Sequence, residues 1–462
     1  MKTYDIIVIG GGPGGYVAAI RGSQLGFKVA LVEKDKLGGV CLNWGCIPTK
    51  SLLRNAEVIS LLNEGKTFGF EFDKASLKID YGAAQKRSRE VSAKLVKGIE
   101  YLMKKNNIDV YSGRGVLKET KKVEIQPQGD IIEGKNIIIA TGSRANMLPG
   151  IKPDAGFILT ARRALELTKL SPEMIIVGAG AIGMEFANIW SSYGVDVTVV
   201  EMASDVLPLE DKEISAEVGK NFEKRGIKVL TGTKVEKIET DSSGVAISVS
   251  NGGKSYVLKS NIMLLSAGVR PNSEDLGLEK LGVAMQRGYI QVDDCMRTNV
   301  GGIYAIGDVT GKMPLAHVAS AQGITAVDKI AGKVTKALQY HNMPRCTYCT
   351  PETASVGLTE AQAREKGYNI KIGKFPFLAN GKALGLEETA GFVKIVAEAK
   401  YGEILGVHMV GSHVTEMLAG PTGLIALEGT YEELANIIHP HPSLSEAIME
   451  AAYAVEGKAV HL

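Results

Sequence analysis

Residues 4–33 read YDIIVIGGGPGGYVAAIRGSQLGFKVALVE and carry the clearest fold signal in the chain. Its apolar run at residues 4–9 predicts a strand, and the pattern at residues 16–25 predicts a helix. A second apolar run at residues 28–32 predicts another strand, with turn residues between these elements. Strand, helix and strand in this order indicate a βαβ unit, which is typical of α/β folds with parallel sheets.

The turn of this unit, residues 10–15, has the glycine spacing G-x-G-x-x-G. In dinucleotide-binding loops of this kind Gly10 permits the tight turn, Gly12 lets a pyrophosphate approach, and Gly15 allows helix and strand to pack closely. The phosphates would lie on free N–H groups at the helix N-terminus. Glu33, at the end of the second strand, suits hydrogen bonding to ribose hydroxyls. We therefore expect a bound dinucleotide here.

The unit recurs at residues 173–201, where Gly178, Gly180 and Gly183 form the loop and Glu201 follows. Both acidic residues come 23 positions after the first glycine of their loop. A carboxylate at Glu201 would accept hydrogen bonds from the 2′-hydroxyl of NAD and repel the 2′-phosphate of NADP. Residues 202–204 offer no arginine for such a phosphate. The second dinucleotide is therefore predicted to be NAD.

A pair of cysteines, Cys41 and Cys46, follows the first loop. On an ideal α-helix their Cα atoms would be about 8–9 Å apart, beyond the roughly 7 Å limit for a disulfide. A bridge therefore needs a distorted turn, which Gly45 permits, and such a disulfide would be easily reduced. The alternative is two unrelated core cysteines, because free cysteine is often buried. The two dinucleotide loops favour the redox interpretation.

Two charged residues lie near these motifs in the sequence. Lys50 comes four positions after Cys46, where a cation would stabilise negative charge on a reduced flavin; the alternative is a solvated helix lysine. Glu185 is expected in the first turn of the helix after the second loop. There it would either complement the helix dipole or lie beside the nicotinamide.

Two of the seven histidines lie in HPHPSLSE, residues 439–446. Flanking prolines fix the backbone around His441, and thiol–disulfide exchange needs a base to form a thiolate. Glu446 is close enough in sequence to hold that base in one tautomer, as in a catalytic triad. The alternative is a proline-rich loop with incidental histidines. Structural or surface positions are expected for the remaining histidines, His317, His341, His408, His413 and His461.

Composition limits the other classes of function. The chain has 462 residues, of which 45% are hydrophobic and 23% charged, and its net charge is +2. These values are ordinary for a globular protein and indicate no basic surface for nucleic acid or anionic lipid. Five cysteines do not make a secreted disulfide framework. Because neither a signal peptide nor a membrane-length apolar run is found, we expect a cytoplasmic protein whose disulfide is catalytic rather than structural.

Further patterns outline the organisation of the chain. They predict a polar helix or pair of helices at residues 85–104, a link at 145–153, a short buried strand at 303–308, hairpin strands at 392–397 and 402–410, and a helix at 420–428.

With these motifs the chain resembles the flavin-dependent disulfide oxidoreductases, and most closely the branch that oxidises dihydrolipoamide. The resemblance runs nearly end to end, and the cysteine segment and the histidine-proline ending are its most specific parts. It is carried by residues 10–15 with Glu33, 39–50, 140–142, 178–183 with Glu201, 267–272, 307–308 and 439–442.

The resemblance implies an α/β fold with two Rossmann-like dinucleotide-binding domains, one for FAD and one for NAD, and an α+β C-terminal interface domain that forms a homodimer. The FAD domain would span residues 1–145 and 271–345, split by an NAD domain at 146–270, and the interface domain would span 346–462. The implied activity is oxidation of dihydrolipoamide to lipoamide with reduction of NAD.

It also implies a mechanism. Dihydrolipoamide would lose a proton to the partner subunit's His441, which Glu446 orients, and the resulting thiolate would attack Cys41. Cys46, the sulfur nearer the flavin, would pass the electrons to FAD, and the reduced flavin would give a hydride to NAD.

Cofactor contacts follow from the same resemblance. Lys50 and Glu185 would form a pair beside the N5 edge of the flavin. Further contacts with FAD are implied for Gly115, Thr141, Gly142, Asp308 and Ala316, and with NAD for Gly268. The implied partner is a lipoyl-bearing protein of a 2-oxoacid dehydrogenase or glycine cleavage complex, and no metal, nucleic acid or membrane is expected.

Two features depart from the pattern. Cys346 and Cys349 form a C-x-x-C in a predicted strand, where residues three apart point to opposite faces, so neither a metal nor a redox role is expected. Trp44 is bulkier than the small residue expected between the two redox cysteines, and we expect it to affect access or the flavin environment.

Several competing functions stay open. A glutathione-reductase-like enzyme is the nearest, but that branch generally uses NADPH, against which Glu201 argues. A mercuric reductase would end in a cysteine pair, which this chain does not, and a soluble transhydrogenase would not need Cys41 and Cys46. A docking subunit of a larger complex, with catalysis secondary, is the alternative from another class.

Overall fold

The computed structural model describes residues 1–73, 76–148, 151 and 156–462. Its α-helices in these ranges are α1 (Pro13–Gln24), α2 (Gly39–Trp44), α3 (Cys46–Asn63), α4 (Tyr81–Lys105), α5 (Ala161–Ala164), α6 (Ala181–Ser192), α7 (Lys212–Lys224), α8 (Ala316–Ile330), α9 (Glu360–Glu365), α10 (Gly381–Leu386), α11 (Val414–Met417), α12 (Ala419–Ala426), α13 (Tyr431–Asn436) and α14 (Glu446–Ala454). Short 3-10 helices cover Glu279–Leu281, Gly307–Thr310, Tyr340–Asn342 and Phe377–Ala379.

The strands in the same ranges are β1 (Lys2–Ile9), β2 (Val29–Glu33), β3 (Asp109–Ser112), β4 (Arg114–Glu119), β5 (Lys122–Gln126), β6 (Asp130–Ile139), β7 (Ser143–Ala145), β8 (Ile158–Leu159), β9 (Glu173–Val177), β10 (Asp196–Val200), β11 (Lys228–Leu230), β12 (Lys234–Asp241), β13 (Gly244–Asn251), β14 (Lys254–Ser260), β15 (Ile262–Leu265), β16 (Val269–Pro271), β17 (Met285–Gln286), β18 (Tyr289–Ile290), β19 (Ile303–Ala305), β20 (Arg345–Thr347), β21 (Glu352–Gly357), β22 (Ile370–Pro376), β23 (Phe392–Glu398) and β24 (Ile404–Gly411).

The first sheet is built around the N-terminal βαβ unit. Its strand order is β3-β2-β1-β6-β5-β4, and β19 pairs with the C-terminal part of β6, at Ile137–Ile139. Strand β1 runs parallel to β2 and β6, and β19 runs parallel to β6. Ile6 and Val8 pack with α1 and α8 on one face, while Ile7 and Ile9 enter a second core on the other. Because both faces are covered, β1 reads as a continuous apolar run rather than an alternating one.

The second sheet repeats this plan. Its order is β11-β10-β9-β15-β8, and every pair in it is parallel. The predicted strand, helix and strand at residues 173–201 are confirmed as β9, α6 and β10. An antiparallel meander of β12, β13 and β14 follows β11 in the chain. The α/β class with two similar nucleotide-type units is therefore confirmed.

The C-terminal third of the chain is different in kind. Its five-stranded sheet has the order β20-β21-β24-β23-β22, and every pair is antiparallel. The predicted hairpin is confirmed as β23 and β24, and the predicted helix near residue 420 is α12. One face of the sheet packs on α13 and α14 through a shared apolar core.

Other predictions have mixed outcomes. The polar segment at 85–104 is one helix, α4, with a buried face that includes Ser88 and Met103. The predicted strand around the C-x-x-C is only partly correct, because β20 ends at Thr347 and Cys349 lies beyond it. Four of the nine residues of the predicted link at 145–153 lie outside the described residues. The domain boundaries at 145, 270 and 345 stay predictions.

One buried cluster joins the parts that carry the predicted site. It includes Leu52 of α3, Trp190 of α6, and Cys349 and Phe392 from the C-terminal third. The redox helix, the second sheet and the antiparallel sheet therefore share one core. No helix in the described ranges is both long and apolar enough to cross a membrane.

Candidate active site

The cysteine segment is a helix interrupted between the two thiols. Helix α2 ends at Trp44, Gly45 has φ −140° and ψ −111°, and α3 begins at Cys46. The predicted distortion at Gly45 is thus confirmed. Both cysteines are free thiols, which corresponds to the reduced form of the predicted redox pair.

The two thiols share a hydrogen bond, and this gives them opposite pKa shifts. Accepting the bond, together with the nearby Lys50 ammonium, outweighs the effect of burial and lowers the pKa of Cys46 to about 7. Donating the same bond raises the pKa of Cys41 above its ordinary value, and burial adds to the increase. Cys46 is therefore the sulfur that carries the thiolate.

Lys50 is not a solvated surface lysine, because it forms an ion pair with Glu185. Its Nζ donates to Oε1 of Glu185 at 2.7 Å and to Oε2 at 2.9 Å. The Glu185 side chain is only 7% exposed and lies in the second turn of α6, not the first as predicted. Its carboxylate is used by Lys50, so a helix-dipole role alone does not explain it.

The first glycine loop has the geometry that its spacing predicts. Gly10 has φ +109°, a left-handed conformation that favours glycine. A Cβ on Gly15 would overlap the carbonyl oxygen of Gly10, so helix α1 packs closely on the turn. Gly12 is the N-cap of α1 and supplies no side-chain cap.

The second loop reproduces these contacts. Gly178 has φ +103°, and a Cβ on Gly183 would overlap the Gly178 carbonyl. Gly180 caps α6 without a side chain, and open space surrounds the position of its Cβ. Both helix N-termini therefore present uncapped N–H groups to any anion placed there. These loops fit the pyrophosphate groups of two dinucleotides.

The acidic residue of each loop is held in the same way. Glu33 accepts from the Gly11 N–H at 2.6 Å and the Asp35 N–H at 2.7 Å. Glu201 accepts from the Ala179 N–H at 2.6 Å and the Ala203 N–H at 2.8 Å. Each carboxylate is thus fixed at the end of its strand, where the ribose of a bound dinucleotide would lie.

A second group of predicted residues gathers at the carboxyl end of β6. Thr141 Oγ1 donates to the Asn272 carbonyl at 2.7 Å, and the Asn272 N–H donates to the Gly142 carbonyl at 2.9 Å. Ser143 Oγ donates to Asp308 Oδ2 at 2.6 Å. Burial raises the pKa of Asp308 above its ordinary value. A buried carboxyl with one hydroxyl partner suits a cofactor hydroxyl as a further partner.

The remaining predicted contacts are more dispersed. Gly115 is buried in β4, where a Cβ would lie 3.0 Å from Ile9. Ala316 is the first residue of α8. Gly268 has φ +83° and open space around its Cβ position, and its carbonyl accepts from the Asn146 N–H at 3.0 Å.

The C-terminal histidine is oriented as predicted. Nδ1 of His441 lies 2.9 Å from Oε1 of Glu446, and the Ser443 N–H donates to Oε2 at 2.8 Å. These two contacts lower the pKa of Glu446 against the opposing effect of burial. The His441 side chain is 80% exposed. Its other ring nitrogen is thus available to a group that approaches from outside the chain.

Two contacts at the site were not predicted. The Tyr348 N–H donates to Oε1 of Glu185 at 3.1 Å, and no sequence spacing indicates a contact across 163 positions. The Arg162 guanidinium lies 3.9 Å from the centroid of the Trp44 ring, and its Nη1 donates to Asp35 at 3.0 Å. One face of Trp44 is therefore covered by an arginine.

Comparison with known families agrees with this geometry. A model described as pyridine nucleotide-disulphide oxidoreductase matches residues 4–323. A second, described as the dimerisation domain of the same group, matches residues 343–452. Together the two models span the first and second sheets and the antiparallel C-terminal sheet.

Relatives and solved structures extend the match along the whole chain. The chain is 47% identical to dihydrolipoyl dehydrogenase of Zymomonas mobilis, covering 99% of both chains. It is 46% identical to that of Bacillus subtilis, again over 99% of both. LpdA from Mycobacterium tuberculosis superposes with a TM-score of 0.90 at 28% identity, over 98% of this chain and 99% of that one. The flavoprotein disulfide reductase RclA from Escherichia coli, in a Cu(II) complex, gives 0.87 at 28% identity, over 98% and 99%.

These matches and the two loops make the chain an oxidoreductase that uses FAD and NAD. The C-terminal antiparallel sheet corresponds to the dimerisation domain. The chain belongs to the pyridine nucleotide-disulphide oxidoreductase family.

Proposed function

We propose that the enzyme is an NAD-dependent dihydrolipoyl dehydrogenase, which oxidises dihydrolipoamide to lipoamide and reduces NAD⁺ to NADH. Its relatives at 46–47% identity bear that name over their full length. The observation that carries the proposal is the polarised thiol pair Cys41 and Cys46 beside Lys50. Such a pair accepts two electrons from a dithiol when it is oxidised.

The exchange step follows from the polarity of the pair. In the oxidised enzyme a thiolate of dihydrolipoamide attacks the Cys41 sulfur, and the Cys41–Cys46 bond breaks. Cys46 leaves as a thiolate, because the thiol with the lower pKa is the better leaving group. The second substrate thiol, once deprotonated, attacks the substrate sulfur of the mixed disulfide. Lipoamide is released and Cys41 leaves with the proton, so the substrate has lost two electrons and the enzyme has gained them.

His441 is the proposed base of this step. Glu446 accepts a hydrogen bond from Nδ1–H of His441, which fixes the neutral tautomer with Nε2 free to take a proton from a substrate thiol. Within the described part of one chain, the His441 ring forms its hydrogen bond with Glu446 and not with a cysteine. We therefore propose that the partner subunit's His441 faces Cys41 in a homodimer.

The predicted cofactor residues are proposed as two sites. FAD would be held by Gly10, Gly12, Gly15 and Glu33, with further contacts from Gly115, Thr141, Gly142, Asp308 and Ala316. NAD would be held by Gly178, Gly180, Gly183, Glu201 and Gly268, with Glu185 and Lys50 between the two sites. When bound, the flavin and nicotinamide supply the route by which two electrons leave the dithiol as a hydride equivalent.

The domain boundaries are proposed with these sites. Residues 1–145 and 271–345 would form the FAD domain, 146–270 the NAD domain, and 346–462 the interface domain. Support comes from β19, which pairs with β6 although a whole parallel sheet separates them in the chain. The lipoyl group would come from a partner protein of a 2-oxoacid dehydrogenase or glycine cleavage complex.

A glutathione-reductase-like activity is the second candidate. Such enzymes generally take electrons from NADPH. The carboxylate of Glu201, held by two backbone N–H groups, would repel the 2′-phosphate. The nucleotide preference therefore separates the two candidates.

The test is an anaerobic assay with dihydrolipoamide and either NAD⁺ or NADP⁺. We expect reduction of NAD⁺ and little reduction of NADP⁺, with loss of activity in Cys41→Ser and Cys46→Ser. Cys295→Ser serves as the matched control and should retain activity. Bound flavin without turnover of dihydrolipoamide, or a preference for NADP⁺, would contradict the proposal.

A further inference from the structure

The Lys50–Glu185 pair has a neighbour that no motif indicated. Tyr348 follows strand β20, and its backbone N–H donates to Oε1 of Glu185 at 3.1 Å. Nζ of Lys50 lies 4.3 Å from the centroid of the Tyr348 ring. One residue from the C-terminal third of the chain therefore contacts both charges of the pair.

The segment that carries Tyr348 is fixed on both sides. Cys349 is fully buried and its Sγ donates to the Pro351 carbonyl at 3.2 Å. Arg225 Nη1 donates to the Thr350 carbonyl at 2.9 Å. Tyr348 itself packs against the core cluster that contains Leu52 of the redox helix. Its ring is therefore placed by the packing of three parts of the fold.

The two contacts act on different members of the pair. The Tyr348 N–H shares Oε1 of Glu185 with Lys50 Nζ, which lies 2.7 Å from it, and so sets the orientation of the carboxylate. The ring presents its negative face to the ammonium. Because the Glu185 side chain is 7% exposed, these interactions are less screened by water than surface ones.

We propose that Tyr348 is a positioning residue for hydride transfer, which holds the Lys50–Glu185 pair in the orientation used by the NAD-linked half of the reaction. This inference rests on the proposed function, in which that pair lies between the flavin and nicotinamide sites. The ring acts through Lys50. The backbone N–H acts through Glu185 and is retained in every side-chain variant.

The variants Tyr348→Phe and Tyr348→Leu distinguish the contribution of the ring from that of the hydroxyl, because only Tyr348→Leu removes the ring. In rapid mixing with NADH, reduction of the bound flavin should slow by about two- to thirty-fold in Tyr348→Leu, the factor for loss of a cation–π contact. Reduction by dihydrolipoamide should change by a smaller factor. Tyr348→Phe should match the unaltered enzyme in both. If Tyr348→Leu does not fold, Tyr348→Met removes the ring with a longer side chain.

A matched control is available in the same part of the chain. Nζ of Lys400 lies 4.6 Å from the centroid of the Tyr401 ring, and Tyr401 is 73% exposed. Tyr401→Leu removes a cation–π contact at the surface, and neither half-reaction should change.

A second readout does not depend on turnover. Lys50 lowers the pKa of Cys46, so a displaced ammonium should raise it. The rate of alkylation of Cys46 against pH, followed by mass spectrometry of its peptide, should shift to higher pH in Tyr348→Leu and not in Tyr348→Phe. This measurement holds even if dihydrolipoamide is not the substrate, so failure of the proposed function is distinguishable from failure of the positioning role.

Either of two results would overturn the inference. One is a Tyr348→Leu enzyme that is unchanged in both the NADH half-reaction and the alkylation profile. The other is equal slowing of both half-reactions with an unchanged profile, which would mark a general structural role.

Discussion

At the scale of single residues, the site depends on how one proton is shared between two sulfurs. Cys41 donates to Cys46, and Lys50 places a positive charge near the acceptor. Both effects favour the thiolate of Cys46, and the shared hydrogen bond outweighs the effect of Lys50 on Cys41 and keeps the proton there. The chain therefore distinguishes an attacked sulfur from a leaving sulfur before any substrate arrives.

Lys50→Met tests this polarity. Loss of the cation should raise the pKa of Cys46 above its value of about 7, so that less thiolate is present at neutral pH. The pH dependence of Cys46 alkylation in the reduced protein measures the shift. Lys66→Met, which alters an 85% exposed lysine, is the control. An unchanged alkylation profile in Lys50→Met would show that the lysine does not act on this thiol.

His441→Gln tests the proposed base. The dihydrolipoamide half-reaction should slow by about 10²–10⁴-fold, the usual contribution of a positioned acid–base group. Glu446→Ala should slow the same step, because the ring loses the acceptor 2.9 Å from Nδ1. Flavin reduction by NADH should be retained in both. His439→Gln is the control, since the His439 ring lies against the Ile437 carbonyl. An equal loss of the dihydrolipoamide half-reaction in His439→Gln would contradict the assignment of His441 as the base.

Local spacing could predict only contacts between residues close along the chain, whereas the Lys50–Glu185 pair, 135 positions apart, was implied by the family resemblance. His441 and Glu446 are five positions apart, and the break at Gly45 lies between its two cysteines. Tyr348 and Ser143 were not predicted as site residues, because their contacts with Glu185 and Asp308 span 163 and 165 positions. Such contacts depend on how the sheets pack, which local patterns do not encode.

At the scale of elements, the two glycine loops show one structural solution used twice. In each, a left-handed first glycine turns the chain, the third glycine packs the helix on that turn, and the acid is held by two N–H groups. These features follow from residues within about thirty positions, as in any βαβ unit. The loops were therefore the most predictable part of the fold.

Substitutions in the second loop should separate fold from binding. Gly180→Ala adds a Cβ in open space at an ordinary backbone conformation, so thermal stability should be unchanged while KM for NAD⁺ rises. Gly183→Ala would overlap the Gly178 carbonyl and should lower the melting temperature. Thermal denaturation and steady-state kinetics measure the two effects. An unaltered KM for NAD⁺ in Gly180→Ala would contradict binding of the pyrophosphate at this loop.

At the scale of the whole molecule, a charge cluster around the buried side chain of Lys394 connects the unit of the second sheet to the C-terminal third. Nζ of Lys394, whose side chain is 1% exposed, lies 2.9 Å from Asp211, 2.7 Å from Glu213 and 2.7 Å from Glu360. Asp211 and Glu213 belong to the start of α7, whereas Lys394 is in β23. Together with the apolar core that the two parts share, this cation therefore helps to fix the orientation of the proposed NAD site relative to the C-terminal third.

Lys394→Met should lower the free energy of unfolding by about 3–5 kcal/mol, because it leaves a buried carboxylate unpaired. Lys374→Met is the matched control: its ion pair with Glu213 is about half exposed on both sides, and its loss should cost under about 1 kcal/mol. Denaturant titration measures both. Equal changes in the free energy of unfolding for the two substitutions would show that burial of Lys394 adds nothing to the stability of the fold.

The same cluster makes the stability of the fold depend on pH. Lys394 lowers the pKa of Asp211 and of Glu360 against the effect of burial, and Lys374 and Lys394 together do the same for Glu213. These three carboxylates therefore stabilise the folded state at pH values above the ordinary carboxyl pKa of about 4. The stabilisation is lost as the pH falls through the lowered pKa values of the folded state. The difference in melting temperature between the unaltered enzyme and Lys394→Met should narrow below about pH 4. A difference that stays constant down to acid pH would contradict this assignment.

The redox role of Cys41 and Cys46 can be read directly by mapping disulfides. The enzyme is equilibrated anaerobically with excess NAD⁺ and lipoamide, or with dihydrolipoamide alone, then alkylated and digested for mass spectrometry. We predict a Cys41–Cys46 disulfide in the first sample and two alkylated thiols in the second, with Cys295, Cys346 and Cys349 the same in both. Cys41 and Cys46 thiols that do not change between the samples, or a change confined to Cys346 and Cys349, would contradict the proposed electron path.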